Sequence, residues 1–326
     1  MQTGKPGEGD SAAPQGSFQR RPTAFHDVIS TEAGARFAPE AGRYHLYVSH
    51  ACPWAHRTLI TRALKGLEHV IDVSVVNWYL DFGRGWSFDE GEGVVVDPNE
   101  HVGVMRELYQ IASSNYAGSI TVPVLWDKTE RTIVNNESSE IIRMLDGAFQ
   151  DYAKRPELVL SPSELLGVID EVNGPIYDAV NNGVYKAGFA RSQEAYDHAV
   201  NALFDRLDAL EDRLSNQRWL VGDRFTEADV RLFTTLIRFD PVYNTHFKCS
   251  RRRIADYPNL WAYTREIAQV PEVRATIHLD HIRNHYYVSH AGVNPRRIVA
   301  AMPATYDLDA PHDRARLGGH PVLPTA

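Results

Sequence analysis

Two cysteines occur in the chain, Cys52 and Cys249, and their settings differ. Cys52 stands in His50-Ala51-Cys52-Pro53-Trp54-Ala55, after the strand-like run Tyr44-His45-Leu46-Tyr47-Val48-Ser49 and before a helical pattern. Proline is tolerated in the first helical turn, where its missing N–H has no intrahelical partner, so Pro53 starts a helix with Cys52 at its mouth. A thiol there faces unpaired N–H groups and the positive end of the helix dipole, which favour thiolate over thiol. The thiolate is the form that attacks sulfur. A dithiol redox motif has its second cysteine three residues on, and that position is Ala55. A mixed disulfide on Cys52 must therefore be resolved by an external thiol. The competing reading is a packing cysteine, since free cysteines are commonly buried. His50 and His56 flank the thiol, but the helix from Pro53 does not bring both onto one face with it, and two cysteines give no zinc spacing. No metal is expected.

The elements around Cys52 must place it. Trp54 to Leu67 reads as a helix with Leu59, Ile60, Ala63, Leu64 and Leu67 on one side, ending near Gly66. Ile71-Asp72-Val73-Ser74-Val75-Val76 follows as a second strand. Strand, helix, strand implies a parallel pair with a crossover helix, and puts Cys52 at the carboxyl end of the first strand. Thr121 to Asp127 and Thr132 to Val134 read as a hairpin, in which Pro123 marks an edge, a bulge or a cis peptide. A helix over Glu137 to Leu145 closes this part. The stretch 78–119 holds Trp78, Tyr79, Phe82, Trp86 and Phe88, then the helical-looking His101 to Ser113, and its length points to function. Beyond about residue 152 the pattern is helical, in Leu165 to Tyr177, Glu194 to Leu214, Glu227 to Phe239 and Leu260 to Ala268. Thr226-Glu227-Ala228-Asp229 has capping-box spacing and is assigned to folding. Residues 1–25, rich in Gly, Ser, Pro and Gln, read as a flexible arm, and the stretch from Pro303 as an irregular surface tail.

The chain has 326 residues, of which 43% are hydrophobic and 23% charged, which suits two moderate domains divided near residue 150. A formal net charge of -8 without a basic cluster argues against nucleic acid. No apolar run approaches a membrane span, and the start MQTGKPGEGDSAAPQG lacks the apolar core of a signal peptide, so a cytoplasmic protein is expected.

Cys52-Pro53-Trp54-Ala55, Val122-Pro123, Glu137-Ser138 and the helical second half together resemble the glutathione transferase superfamily. Within it, Asn182 to Ala190 (NGVYKAGFA), Arg238 to Tyr243 (RFDPVY) and His285-Tyr286-Tyr287 resemble the glutathionyl-hydroquinone reductases, or Xi-class transferases, over residues 25–315. The resemblance implies an α/β thioredoxin-like glutathione-binding domain over 26–150 and an all-α domain over 151–326 that carries the acceptor pocket. It implies that Val122, before a cis Pro123, offers its backbone to the cysteinyl part of glutathione, as an added strand pairs with an edge. Glu137 and Ser138 would take the ammonium and carboxylate of the γ-glutamyl group, and either also suits a plain helix cap. Trp86 would lie against glutathione, and Tyr185, Tyr286 and Tyr243 would line the acceptor pocket. The implied reaction is reduction of an aromatic glutathionyl-hydroquinone by glutathione, through a Cys52–glutathione disulfide. Glutathione is then a co-substrate, no cofactor is permanently bound, and a homodimer is expected. An ordinary conjugating transferase, an omega-like thioltransferase or dehydroascorbate reductase, and a non-enzymatic scaffold stay open as alternatives. Cys249 is assigned a structural role.

Overall fold

A computed structural model describes residues 14–323. Its first half builds a four-stranded sheet in the order β2-β1-β3-β4, from β1 (Tyr44–Val48), β2 (Asp72–Val75), β3 (Val124–Asp127) and β4 (Thr132–Asn135). β1 and β2 are parallel, with Val48 opposite Val75, and β1 and β3 are antiparallel, with Tyr47 opposite Val124. All of β1 is buried. That is the pattern of a strand covered on both faces, and it explains why its sequence does not alternate. The Val122–Pro123 peptide is cis. Pro123 lies just ahead of β3, so the ladder never needs its missing N–H.

Helix α1 (Pro53–Lys65) starts at Cys52, whose extended backbone is that of a cap residue, and stops at Gly66. Gly66 has φ 68°, and its N–H donates to Ala63, a left-handed stop that glycine adopts without penalty. α1 belongs to two hydrophobic cores at once. Ala55 and Leu59 pack with the sheet residues Leu46, Tyr47 and Leu125, while Ile60 and Leu64 pack into the helical half. The amino end of α1, with Cys52, therefore opens at the junction of the two. α2 (Met105–Ala112) lies in the long insertion, and α3 (Ser138–Gly147) follows β4.

The second half contains α4 (Leu166–Ile176), α5 (Gly183–Gly188), α6 (Gln193–Asn216), α7 (Glu227–Arg238), α8 (Asn244–His246), α9 (Pro258–Ala268), α10 (Pro271–Arg274) and α11 (Leu279–Asn284). Three π-helical turns interrupt it, at Tyr177–Asn181, Phe239–Tyr243 and His285–Ser289. Such turns are rare and concentrate at functional sites. α7 begins with the anticipated capping box: the Thr226 N–H donates to Asp229 at 2.9 Å, and Asp229 also accepts from Leu220 N–H and Tyr263 Oη.

Two composition-based expectations change. Residues 1–13 of the expected arm lie outside the described residues. Residues 14–25 are fixed in place: Gly16 accepts from Arg191 N–H at 3.1 Å, Phe18 packs on Phe189 with ring centres 5.4 Å apart, and Arg20 reaches the junction. Average composition hid these few specific anchors. The tail from Pro303 is irregular but not merely superficial. Arg314 is buried and donates to the carbonyls of Leu214, Gln217 and Arg218, closing the carboxyl end of α6.

Candidate active site

Cys52 is buried at the mouth of α1, and its Sγ donates to the Val122 carbonyl at 3.3 Å. Helix start and cis-proline loop thus converge on one sulfur. The N–H groups of Ala55 and Trp54 and the charges of Arg238 and Arg20 pull the thiol's pKa down, but burial pushes it up by more. The thiolate preference expected from the helix dipole alone is therefore corrected: desolvation outweighs it, and Cys52 titrates above an ordinary thiol.

Glu137 caps α3. Its carboxylate accepts from Ser139 N–H at 3.1 Å and Ser139 Oγ at 3.0 Å. Ser138 is buried at the first helical position, and its Oγ accepts from Arg57 at 3.3 Å. Arg57, on α1, also donates to Asn181 at 3.2 Å and lies 4.5 Å over the Trp54 ring. Burial pulls Arg57 down to about 9, which leaves it charged at neutral pH. Arg20 from the amino-terminal strap covers Trp54 at 4.5 Å and Tyr185 at 5.0 Å, with its Nε on Asn182. Farther along the same strap, Thr23 reaches the Glu137 carboxylate at 3.5 Å. The strap thus spans from the α3 mouth to Tyr185.

Tyr185, Tyr243 and Tyr286 form one hydrogen-bonded chain. The Tyr185 and Tyr286 oxygens are 2.5 Å apart, and those of Tyr243 and Tyr286 are 3.0 Å apart. All three are buried, and burial raises each phenol's pKa, so all are protonated at neutral pH. Three hydroxyl protons serve two mutual hydrogen bonds, so one remains for another acceptor. Trp54 links this cluster to Cys52, its ring 6.2 Å from that of Tyr185 and nearly parallel to it. Tyr243 and Tyr286 sit in two of the π-turns, and Tyr185 follows the third.

Trp86 packs in the same apolar cluster as Cys52 and Val122, with its ring stacked on His285 at 5.0 Å. The insertion is tied there from both sides: His285 bonds the Trp78 carbonyl at 2.9 Å, and Leu80 N–H donates to Ser289. Both ring nitrogens of His56 are engaged, by Arg238 at 2.9 Å and by Thr276 at 2.8 Å, and His50 stacks on His278. Cys249 is fully buried in the helical core among apolar side chains, where burial pushes its thiol far up.

The structure brings Cys52, Val122, Pro123, Trp86 and the three tyrosines to one junction, with Glu137 and Ser138 on its sheet side. It adds Trp54, Arg20, Arg57 and Arg238, to which no role follows from the sequence. The available signals for Arg238 are a charge at the end of the apolar run Val230 to Ile237 and its place at the head of the RFDPVY motif, and Arg20 has none.

A fold of this kind, with a thiol at the sheet–helix junction, defines a thiol-dependent transferase class. The glutathione S-transferase amino-terminal domain model matches residues 51–148, and the carboxy-terminal domain model matches 193–266. The glutathionyl-hydroquinone reductase YqjG of Escherichia coli is 51% identical over 312 residues, covering 94% of each chain. A Xi-class transferase structure from Natrialba magadii superposes with a TM-score of 0.90 at 50% identity, covering 93% of this chain and 94% of its own. The glutathione-bound structure of YqjG gives a TM-score of 0.86 at 52% identity, covering 89% and 96%. The chain belongs to the glutathione transferase family and, within it, to the Xi-class glutathionyl-hydroquinone reductases. Among the described residues no helix is long and apolar enough to cross a membrane.

Proposed function

We propose that the protein reduces aromatic glutathionyl-hydroquinones to hydroquinones with glutathione as co-substrate. The observation that carries this reading is the junction of Cys52 with the Tyr185–Tyr286–Tyr243 chain, a sulfur nucleophile beside a donor of one free phenolic proton. In the first step the Cys52 thiolate attacks the glutathionyl sulfur. The Cys52–sulfur bond forms as the bond from sulfur to the ring carbon breaks, and that carbon takes a proton relayed by the tyrosines. Hydroquinone leaves, and Cys52 is oxidised to its glutathione disulfide. In the second step a glutathione thiolate attacks this disulfide, giving oxidised glutathione and the Cys52 thiolate, so turnover is ping-pong.

In this reading Val122 and Pro123 hold the cysteinyl part of glutathione, Glu137 and Ser138 its γ-glutamyl end, and Trp86 one flank. Ser138 supports the assignment because its Oγ already receives the charged donor Arg57 beside the α3 mouth. The boundary near residue 150 then separates the glutathione domain from the acceptor domain, no permanent cofactor is needed, and the working form is a cytoplasmic homodimer.

The test is turnover of a glutathionyl-hydroquinone by wild type and Cys52→Ala. The expected loss is about a thousandfold or more, the scale seen when a nucleophile is removed. Cys52→Ala with near-native rates, or a wild type without a glutathione adduct on Cys52 by mass spectrometry, rejects this reading.

A further inference from the structure

Arg238, the last residue of α7, has no exposed surface. Its Nε donates to the Ala51 carbonyl at 3.0 Å and one terminal nitrogen to the His50 carbonyl at 3.0 Å. The other terminal nitrogen donates to the Thr234 carbonyl and to His56 Nδ1, both at 2.9 Å. Every acceptor is neutral. His56 accepts at Nδ1, so its proton is on Nε2, pointing to Thr276 Oγ1, and burial holds the ring uncharged. Asp240, two residues along the chain, is engaged by the N–H groups of Ile254 and Ala255.

A guanidinium enclosed with neutral acceptors only is costly, because carbonyls do not offset the full desolvation of a cation. The contacts are also placed unusually. Two of the three carbonyls belong to the peptide units just before Cys52, so a helix of the second domain grips the loop that carries the sulfur of the first. From the other side, Arg238 leads directly into the π-turn Phe239–Tyr243, which carries one of the three clustered tyrosines. The charges that act on the Cys52 sulfur are those of Arg238 from α7 and Arg20 from the strap, the sulfur itself contacts the Val122 carbonyl, and the Tyr185 phenol of α5 is electrostatically coupled to it. Arg20 is exposed and Tyr185 is neutral. Arg238 is thus the enclosed charge of that shell, and Cys52 the member of it that turns anionic during thiol transfer.

We infer that Arg238 is a positioning residue for the reaction: it clamps the 50–51 peptide units under Cys52 and supplies, from the helical domain, the buried positive charge against which the Cys52 thiolate forms. This rests on Cys52 being the nucleophile but not on the identity of the acceptor.

The test follows the pH dependence of Cys52 alkylation by iodoacetamide in the full chain, mapped by mass spectrometry so that Cys249 does not interfere. Arg238→Met removes charge and clamp together. It shifts the alkylation midpoint upward by about one pH unit, a tenfold loss of thiolate at neutral pH. Arg238→Lys keeps the charge and loses the planar fork, so the midpoint stays near wild type while kcat falls about tenfold and KM for glutathione changes little. A folded Met variant with the wild-type midpoint overturns the electrostatic role. A Lys variant with wild-type kcat overturns the clamp, and this arm decides the matter if the Met variant does not fold. Alkylation needs no quinone, and kcat is read as reduction of a preformed Cys52–glutathione disulfide by glutathione, so failure here is distinguishable from failure of the reductase reading.

Discussion

The two walls of the junction are built by different means. The sheet-side wall is mainly main chain and helix mouths: the Val122 carbonyl, the start of α1 at Cys52 and the start of α3 at Glu137 and Ser138. The helical wall is all side chain. Its core is three phenols from distant segments, braced by Phe247, His285 and His290. Main-chain groups suit a constant ligand, because their geometry is set by secondary structure. A phenol cluster suits a ring that varies, because each side chain can be exchanged without altering a strand or a cap. In the proposed reading the first wall takes glutathione and the second the aromatic acceptor.

Acid should break the helical wall, and this is the largest effect expected. Burial holds His246 and His285 near pKa 4, with His290 also far below 6.5. Below pH 6.5 the unfolded chain takes up protons that the folded chain refuses. Stability is therefore present above that pH and is lost as pH falls toward 4, at about 1.4 kcal/mol per unit for each such histidine. The melting temperature should drop steeply between pH 6.5 and 5, and a flat profile there would show that these rings are not held neutral.

Tyr286→Phe removes the central phenol of the chain while keeping its ring. The first half-reaction, followed by single-turnover release of hydroquinone, should slow about a hundredfold, as for loss of one preorganised donor. Reduction of a preformed Cys52–glutathione disulfide should be almost unaffected. Equal slowing of both steps would erase the distinction between the walls.

Glu137→Gln tests the other wall. KM for glutathione should rise about tenfold with a small change in kcat, since a charge-assisted contact made equally in ground and transition states is lost. A fall in kcat at constant KM would move Glu137 from binding to chemistry.

Cys249→Ala gives the smallest effect. Its sulfur is fully buried in the helical core, so turnover should stay at the wild-type rate and glutathione should label one site, Cys52. The variant should lose stability by about 1 kcal/mol through the cavity, measurable in denaturant. Labelling of Cys249 in the folded wild type contradicts this.

The elements behind the two walls differ in how far local sequence specifies them. The strands and α1 to α3 follow from local signals, because a strand, a proline at a helix start and a glycine stop act over a few residues. The helical half was harder. Leu165 to Tyr177 was legible as one helix, but the chain continues through a π-turn at Tyr177–Asn181 into α5, where Tyr185 lies. A π-turn rotates the following residues off the 3.6-residue repeat, so periodicity no longer tells which face Tyr185 occupies. The 15 tyrosines of the chain are equivalent by composition, and only resemblance singled out three.

Cys52 shows where the division falls. By itself the sequence determined that this thiol caps a helix after a strand and lacks a resolving partner at Ala55, because these are local consequences of residue type and order. Tertiary structure alone decided how far burial raises its pKa, that Trp54 joins it to Tyr185, and that Arg238 grips its loop from the other domain. Burial and charge depend on what packs around an atom, and here those neighbours come from distant segments, as Val122 does at a separation of 70 and Arg238 does from Ala51 at a separation of 187.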